Sequence, residues 1–264
     1  MEAKEKQFIV TEKWLAEMKA CEDGLRAFKH HFPNGGEALE VLKQCEKFNY
    51  RDIGEWLVDI LPITYPPLEL NNLIGNLFYP NDVHIKGDIS TQEFFYIKGS
   101  LKVDGKLTVN KYGEASTNKD FINSDEIDLG EYAYLYSQIK ANSISLRNSA
   151  HIFGNTKANV IKVNGGYLHG DVDADEIIND SGEIQGYVKT IKIENINGGV
   201  IKGNINTIKI KNINGGQIHG DVDADEIIND GGLIRGDVNT FTIENINGGR
   251  VKGKISYKSP DEHK

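Results

Sequence analysis

Across the C-terminal two-thirds of the chain, aliphatic residues alternate with polar ones. The alternation is interrupted at regular intervals by a glycine pair or a close variant: Gly165-Gly166, Ser181-Gly182, Gly198-Gly199, Gly215-Gly216, Gly231-Gly232 and Gly248-Gly249. The second members of these pairs are 16, 17, 17, 16 and 17 residues apart. A strict short period means one small unit stacked on itself. One unit reads Gln217-Ile218-His219-Gly220-Asp221-Val222-Asp223-Ala224 and the next Leu233-Ile234-Arg235-Gly236-Asp237-Val238-Asn239-Thr240. Positions 2, 4, 6 and 8 are aliphatic, glycine, aliphatic and small, and a period of two places them on one side of a strand. Position 11 is again aliphatic, as in Ile177, Ile193, Ile210, Ile227 and Ile243. A unit this short has no room for a helix plus a strand. It suits three short strands joined by tight corners, and so predicts a β-solenoid of about ten rungs of 16–17 residues over 83–257. The Asn-Gly-Gly corners supply the positive φ that such corners need. Stacked Asn197, Asn214 and Asn247 are expected to form amide ladders. Leu168 to Asp180 returns 50 residues later as Ile218 to Asp230, a duplication by three whole rungs.

The first 62 residues have a different texture. Thr11 is placed to cap a helix carrying Trp14, Leu15 and Met18. Leu25, Phe28 and Phe32 follow at helical spacing after an interruption at Gly24, and Pro33-Asn34-Gly35-Gly36 marks a turn. Leu39, Val41, Leu42 and Cys45 form another apolar stripe. Asp52 opens a last helix with Ile53, Trp56, Leu57 and Ile60, ended by Pro62. The predicted fold class is α+β: a helical cap over 1–62 built around Trp14, Phe28, Phe32 and Trp56, a linker over 63–82, the solenoid over 83–257 and a polar tail over 258–264. The cap is expected to cover the first rung. The last rung is expected to stay open, which invites an end-to-end contact between C-termini.

Composition narrows the classes. The chain has 264 residues, 28 of them glycine, and a formal charge of -9. That charge argues against general binding to nucleic acid or anionic membranes. The N-terminus lacks a secretory apolar core, and no stretch is apolar enough to span a bilayer. The two cysteines, Cys21 and Cys45, have neither metal-ligand nor disulfide spacing and fit buried thiols in a reducing cytoplasm.

The run Gly-x-Ile-x-Gly-Asp-Val-x-Ala-Asp-x-Ile resembles the rung pattern of bactofilins. That resemblance covers about 175 residues, from Val83 to Tyr257. It implies a compact right-handed β-helix and a polymer-forming cytoskeletal role, although the helical cap would block one polymerising end. The helical segment is similar to small modules of bacterial and phage proteins, and implies such an origin.

Two outward patterns are candidates for interaction. Lys202, His219, Arg235 and Lys252 recur at position 3 of successive rungs, a column able to meet phosphate or, beside Asp221 and Asp237, a solubilising charge ladder. Asp171, Asp173, Asp175 and Glu176 recur as Asp221, Asp223, Asp225 and Glu226. Their spacing invites a calcium reading, yet Val172 and Ala174 alternate inward, so an extended strand spreads the carboxylates instead of wrapping them round an ion. The two acidic clusters, roughly 14 Å apart by strand spacing, also raise DNA mimicry, with lysines interleaved between them. No cofactor motif and no catalytic constellation stand out. His169 and His219 occupy equivalent repeat positions, as a surface pattern would place them. The expectation is a non-enzymatic scaffold or protein-binding surface, without metal or cofactor, whose partner is another protein or a second copy. The alternative is a phage-encoded inhibitor of a host defence or DNA-processing enzyme.

Overall fold

The computed structural model describes residues 7–62 and 64–259. The last residues of the expected polar tail, 260–264, lie outside the described residues. Four helices are followed by a parallel β-solenoid of about 11 turns, or rungs. The helices are α1 (Glu12–Glu17), α2 (Glu22–His31), α3 (Ala38–Phe48) and α4 (Arg51–Ile60). Thr11 caps α1, its hydroxyl accepting from the Trp14 amide. Gly24 lies inside α2, not at a break. The break comes earlier, where Lys19 takes a left-handed φ of 63°. Ile9–Val10 and Gly36–Glu37 pair antiparallel, a small ribbon whose second strand begins at the last residue of the expected turn. Leu15, Phe28, Ala38, Val41, Leu42, Leu57 and Val58 form the core of the cap. Trp14, Phe32 and Trp56, expected at its centre, are only half-buried. Cys45 is buried, whereas Cys21, expected to be buried, is exposed, and neither is in a disulfide.

Parallel pairing begins at Leu68, where Leu68–Leu70 pairs with Val83–Ile85. The stretch expected to be a linker therefore supplies the first rung, with Leu73–Ile74 and Leu77–Tyr79 as its other two strands. Its pattern is shorter and more irregular than that of later rungs, and the glycine-based alignment does not reach it.

Each rung has three faces. In one of them, 172–174 form the first face, 177–179 the second and Glu183–Gln185 the third. Residues of one rung sit on their equivalents in the next, as in Ala158, Ala174 and Thr190. Val172, Ile177 and Ile184 are buried together. Burying a side chain of this size stabilises by about 1.5–3 kcal/mol, and the same three positions repeat down the stack. Thr190, Thr207 and Thr240 fill the small inward position, each hydroxyl donating to a corner carbonyl of the preceding rung.

Position 4 is a corner where backbones of successive rungs touch. A Cβ on Gly220 would fall against the carbonyl of Gly203 in the preceding rung. On the second face, the aliphatic column ending at Val163 gives way to asparagine. Asn179 donates to Asn195 (2.8 Å), Asn195 to Asn212 (2.8 Å), Asn212 to Asn229 (2.9 Å) and Asn229 to Asn245 (2.8 Å). The expected ladder at the corner is weaker. Asn214 donates to Asn197 at 3.3 Å on the exposed surface, and all three corner asparagines, Asn247 included, have positive φ.

α3 and α4 pack against the third face of the opening rungs. Phe78 and Phe94 stack there, fully buried, and a Cβ on Gly54 of α4 would overlap the Phe78 ring. The Glu46 carboxylate accepts the Phe78 amide at 2.7 Å. Burial raises the pKa of this carboxyl against the opposing pull of that bond. Helical residues thus cover an edge amide of the first rung. At the far end, Ile243, Val251 and Ile255 are only half-buried, and Tyr257 is 67% exposed, while their counterparts Ile227, Ile234 and Val238 are almost wholly buried.

Two stability comparisons follow from this packing. Gly220→Val is expected to cost about 2–3 kcal/mol by overpacking, against less than about 1 kcal/mol for Lys211→Val at a surface ion pair. Equal urea midpoints would contradict it. Asn212→Leu breaks two amide bonds within the buried ladder and is expected to cost about 2 kcal/mol or more. Asn179→Leu should cost about 1 kcal/mol less, because the Asn179 Oδ1 has no hydrogen-bond partner among the described residues and its neighbour in the preceding rung is Val163. The same denaturation series reads both.

Candidate interaction site on the solenoid

The middle residue of each third-face strand points inward: Ile152, Leu168, Ile184, Ile201, Ile218 and Ile234 are all fully buried. Its two neighbours must then point outward, which makes two columns along the third face. Under the helical cap these columns hold Phe94 and Tyr96. The Tyr96 hydroxyl donates to Asp59 of α4 at 2.8 Å, and Arg51 pairs with Glu114. Below the cap the columns become an aromatic block. Tyr134, His151 and Tyr167 stack at 5.0 and 4.5 Å between ring centroids. Beside them Tyr136, Phe153 and His169 stack at 4.9 and 4.6 Å. Stacked neighbours are tilted by 9° or less. The rung repeat imposes this: rings on equivalent residues lie one strand spacing apart.

Further along the same face the second column changes character. Gln185 is followed by Lys202, and the rungs after it carry His219, Arg235 and Lys252 in register. The four basic residues singled out by spacing therefore do share one line. Lys202 is neutralised by Glu183 at 2.8 Å. The His219 imidazole lies 3.2 Å from the Gln217 side chain. Arg235 and Lys252 have no ion-pair partner among the described residues. Burial, then the charges of Arg235 and Lys202, hold His219 below its ordinary pKa. His151 is lowered by burial first and by His169 second. His151 within the aromatic block thus favours the uncharged state.

The acidic candidates are dispersed among other tasks. Asp171 and Asp221 are corner pieces. Asp171 accepts the Tyr187 amide at 2.9 Å, and Asp221 accepts the Asp237 amide at 2.8 Å, each from the next rung. Asp173 pairs with Lys157, Glu176 with Lys192, and Glu226 with Lys209. Asp223 and Asp225 share Lys258 at 2.6 and 2.9 Å, and that ammonium also lies over the Phe241 ring. Asp175 makes no ion pair among the described residues. Each cluster is thus divided between backbone capping and cation contacts. Among the described residues no three acidic, histidine or cysteine groups converge as metal ligands.

Spacing alone missed the aromatic block. Its signal is present: Tyr-x-Tyr, His-x-Phe and Tyr-x-His recur at 134–136, 151–153 and 167–169. Three different residue types in one column hide a repeat that depends only on each being a flat ring. No protein-family model, curated protein or solved structure matches the chain.

Stacking of neutral His151 predicts a pH effect. Its folded pKa lies below the ordinary 6.5. Between the folded value and 6.5 the unfolded chain binds more protons, so stability present above that window is lost as pH falls through it. His151→Phe should reduce the drop in melting temperature between about pH 7.5 and about pH 5.5. An unchanged drop would show that the ring gains no proton affinity on unfolding.

Proposed function

We propose that the chain is a non-enzymatic protein-interaction scaffold, with the uncovered length of the third face as its contact surface. The observation that carries this reading is the continuity of that face. Where the cap sits, Phe94 is buried and Tyr96 half-buried, with its hydroxyl on Asp59 of α4. Where the cap ends, six flat rings and then the column from Lys202 to Lys252 continue in the same register. Aromatic and arginine side chains are the types enriched in protein interfaces. Arg235 and Lys252, without an ion-pair partner among the described residues, favour an acidic protein partner. Phosphate binding is disfavoured by the formal charge of -9. The lysine pairing of the acidic clusters weakens the reading of DNA mimicry.

A second reading, self-association through the C-terminal end, is supported by the last rung. Its aliphatic residues are far less covered than their counterparts, and strand edges left open in this way pair readily. The rung pattern resembling bactofilins points the same way. Against symmetric docking, the last rung carries Arg250, Lys252 and Lys254 beside one carboxylate, Glu244, while Lys258 is already paired with Asp223 and Asp225. Like charges would then meet.

Photo-crosslinkers placed at Phe153, at Arg235 and, as a control, at Lys211 on the second face separate these readings in a bacterial lysate. Crosslinks to one acidic protein from the first two sites, lost on Arg235→Glu with Lys252→Glu, are expected. Equal crosslinking from Lys211 would refute the assignment of the face. Light scattering that shows a mass rising with concentration, abolished by Val251→Asp, would select self-association instead.

A further inference from the structure

We infer that the helical cap holds a binding site for a small, uncharged aromatic molecule, independent of the third face. α1 packs on α2 and α3 on α4. Between the two pairs lies a cleft of about 280 Å³. Its floor is Leu15, Phe28, Val41, Cys45 and Leu57, all buried, and its lining is overwhelmingly apolar. Water in such a place finds few partners.

Volume decides what kind of occupant fits. An engineered cavity of about 150 Å³ takes benzene, so this cleft has room for two fused rings.

The lining also decides the chemistry. Phe28, Phe32, Tyr50 and Trp56 supply ring faces and edges, which favour an aromatic guest. Lys19 and Asp52 are the lining's charged carboxylate and ammonium groups; neither makes an ion pair among the described residues, and their opposite signs offer no net attraction to an ionic head. His31, the other titratable ring, is stacked on Phe48. Two neutral polar side chains remain, the Gln44 amide and the Tyr50 hydroxyl, without a hydrogen-bond partner among the described residues. They are suited to one or two hydrogen bonds that fix a neutral guest's orientation. α4 serves both sites: Ile53, Trp56 and Leu57 line the cleft, while Gly54 meets Phe78 of the solenoid.

The test uses the full chain with indole as a neutral bicyclic probe and decanoate as an aliphatic anion, by calorimetry and thermal shift. Saturable binding of one indole per chain and a melting temperature that rises with its concentration are expected. Ala27→Leu projects an isobutyl group into the cleft from a helical position that tolerates leucine. It should weaken indole at least tenfold while leaving the melting temperature without ligand unchanged. Should that variant fail to fold, Cys21 at the cleft provides a second readout. The buried Cys45 thiol is pushed up to about 12 by desolvation and stays unreactive, so iodoacetamide reports on Cys21. Indole at saturation should slow that alkylation severalfold. Absence of saturable indole binding, equal affinity in a folded Ala27→Leu chain, unprotected Cys21, or tighter binding of decanoate would each overturn the inference.

Discussion

Everything in the solenoid depends on parallel pairing between equivalent residues of successive rungs. That pairing satisfies the backbone, and it also forces each side chain to lie against its own counterparts one strand spacing away. Isoleucine on isoleucine gains dispersion and excludes water. Asparagine on asparagine passes one hydrogen bond down the stack. Glycine on glycine lets the corners close. Charges meet in columns too: Lys157 lies against Asp173 and Lys192 against Glu176, while Lys192 also sits over Lys209 and the third face keeps a basic line from Lys202 to Lys252. The same rule that builds the interior therefore writes the exterior as columns.

That rule explains which parts of the fold were legible in the sequence. The period exposed the rungs because the inward positions tolerate so few residue types. The inward set at Ile218, Val222, Ala224 and Ile227 is buried as the alternation requires. The first rung was not legible, because Leu68 to Tyr79 is shaped by the helices against it as much as by the rung below. Phe78 points away from the solenoid interior yet is buried under α4, so no alternation of polar and apolar residues marks it. The buried amide ladder was overlooked for a related reason. Asn179, Asn195, Asn212 and Asn229 look polar, and only their neighbours make an inward position affordable. The corner asparagines drew notice through their Asn-Gly-Gly motif, but their main task is a left-handed backbone.

The candidate surface shows the same division. The line from Lys202 to Lys252 could be read from spacing, because a charge recurs at one position. The six rings could not, since tyrosine, histidine and phenylalanine alternate within their columns. Asp171 and Asp221 were marked by their abundance of charge. Their structural task, accepting an amide from the following rung, becomes visible only once the corner is folded. The cap then gives the third face its asymmetry: covered at one end, open along the remainder.

Amide hydrogen exchange across the whole chain tests the stacked architecture most directly. Strong protection is expected in every rung from Ile139 to Ile234, with the slowest amides on the second face beside the asparagine ladder, and rapid exchange over 242–257 where the final rung lacks cover. Weak protection through the middle rungs, or protection of 242–257 as strong as that of 222–234, would contradict the account.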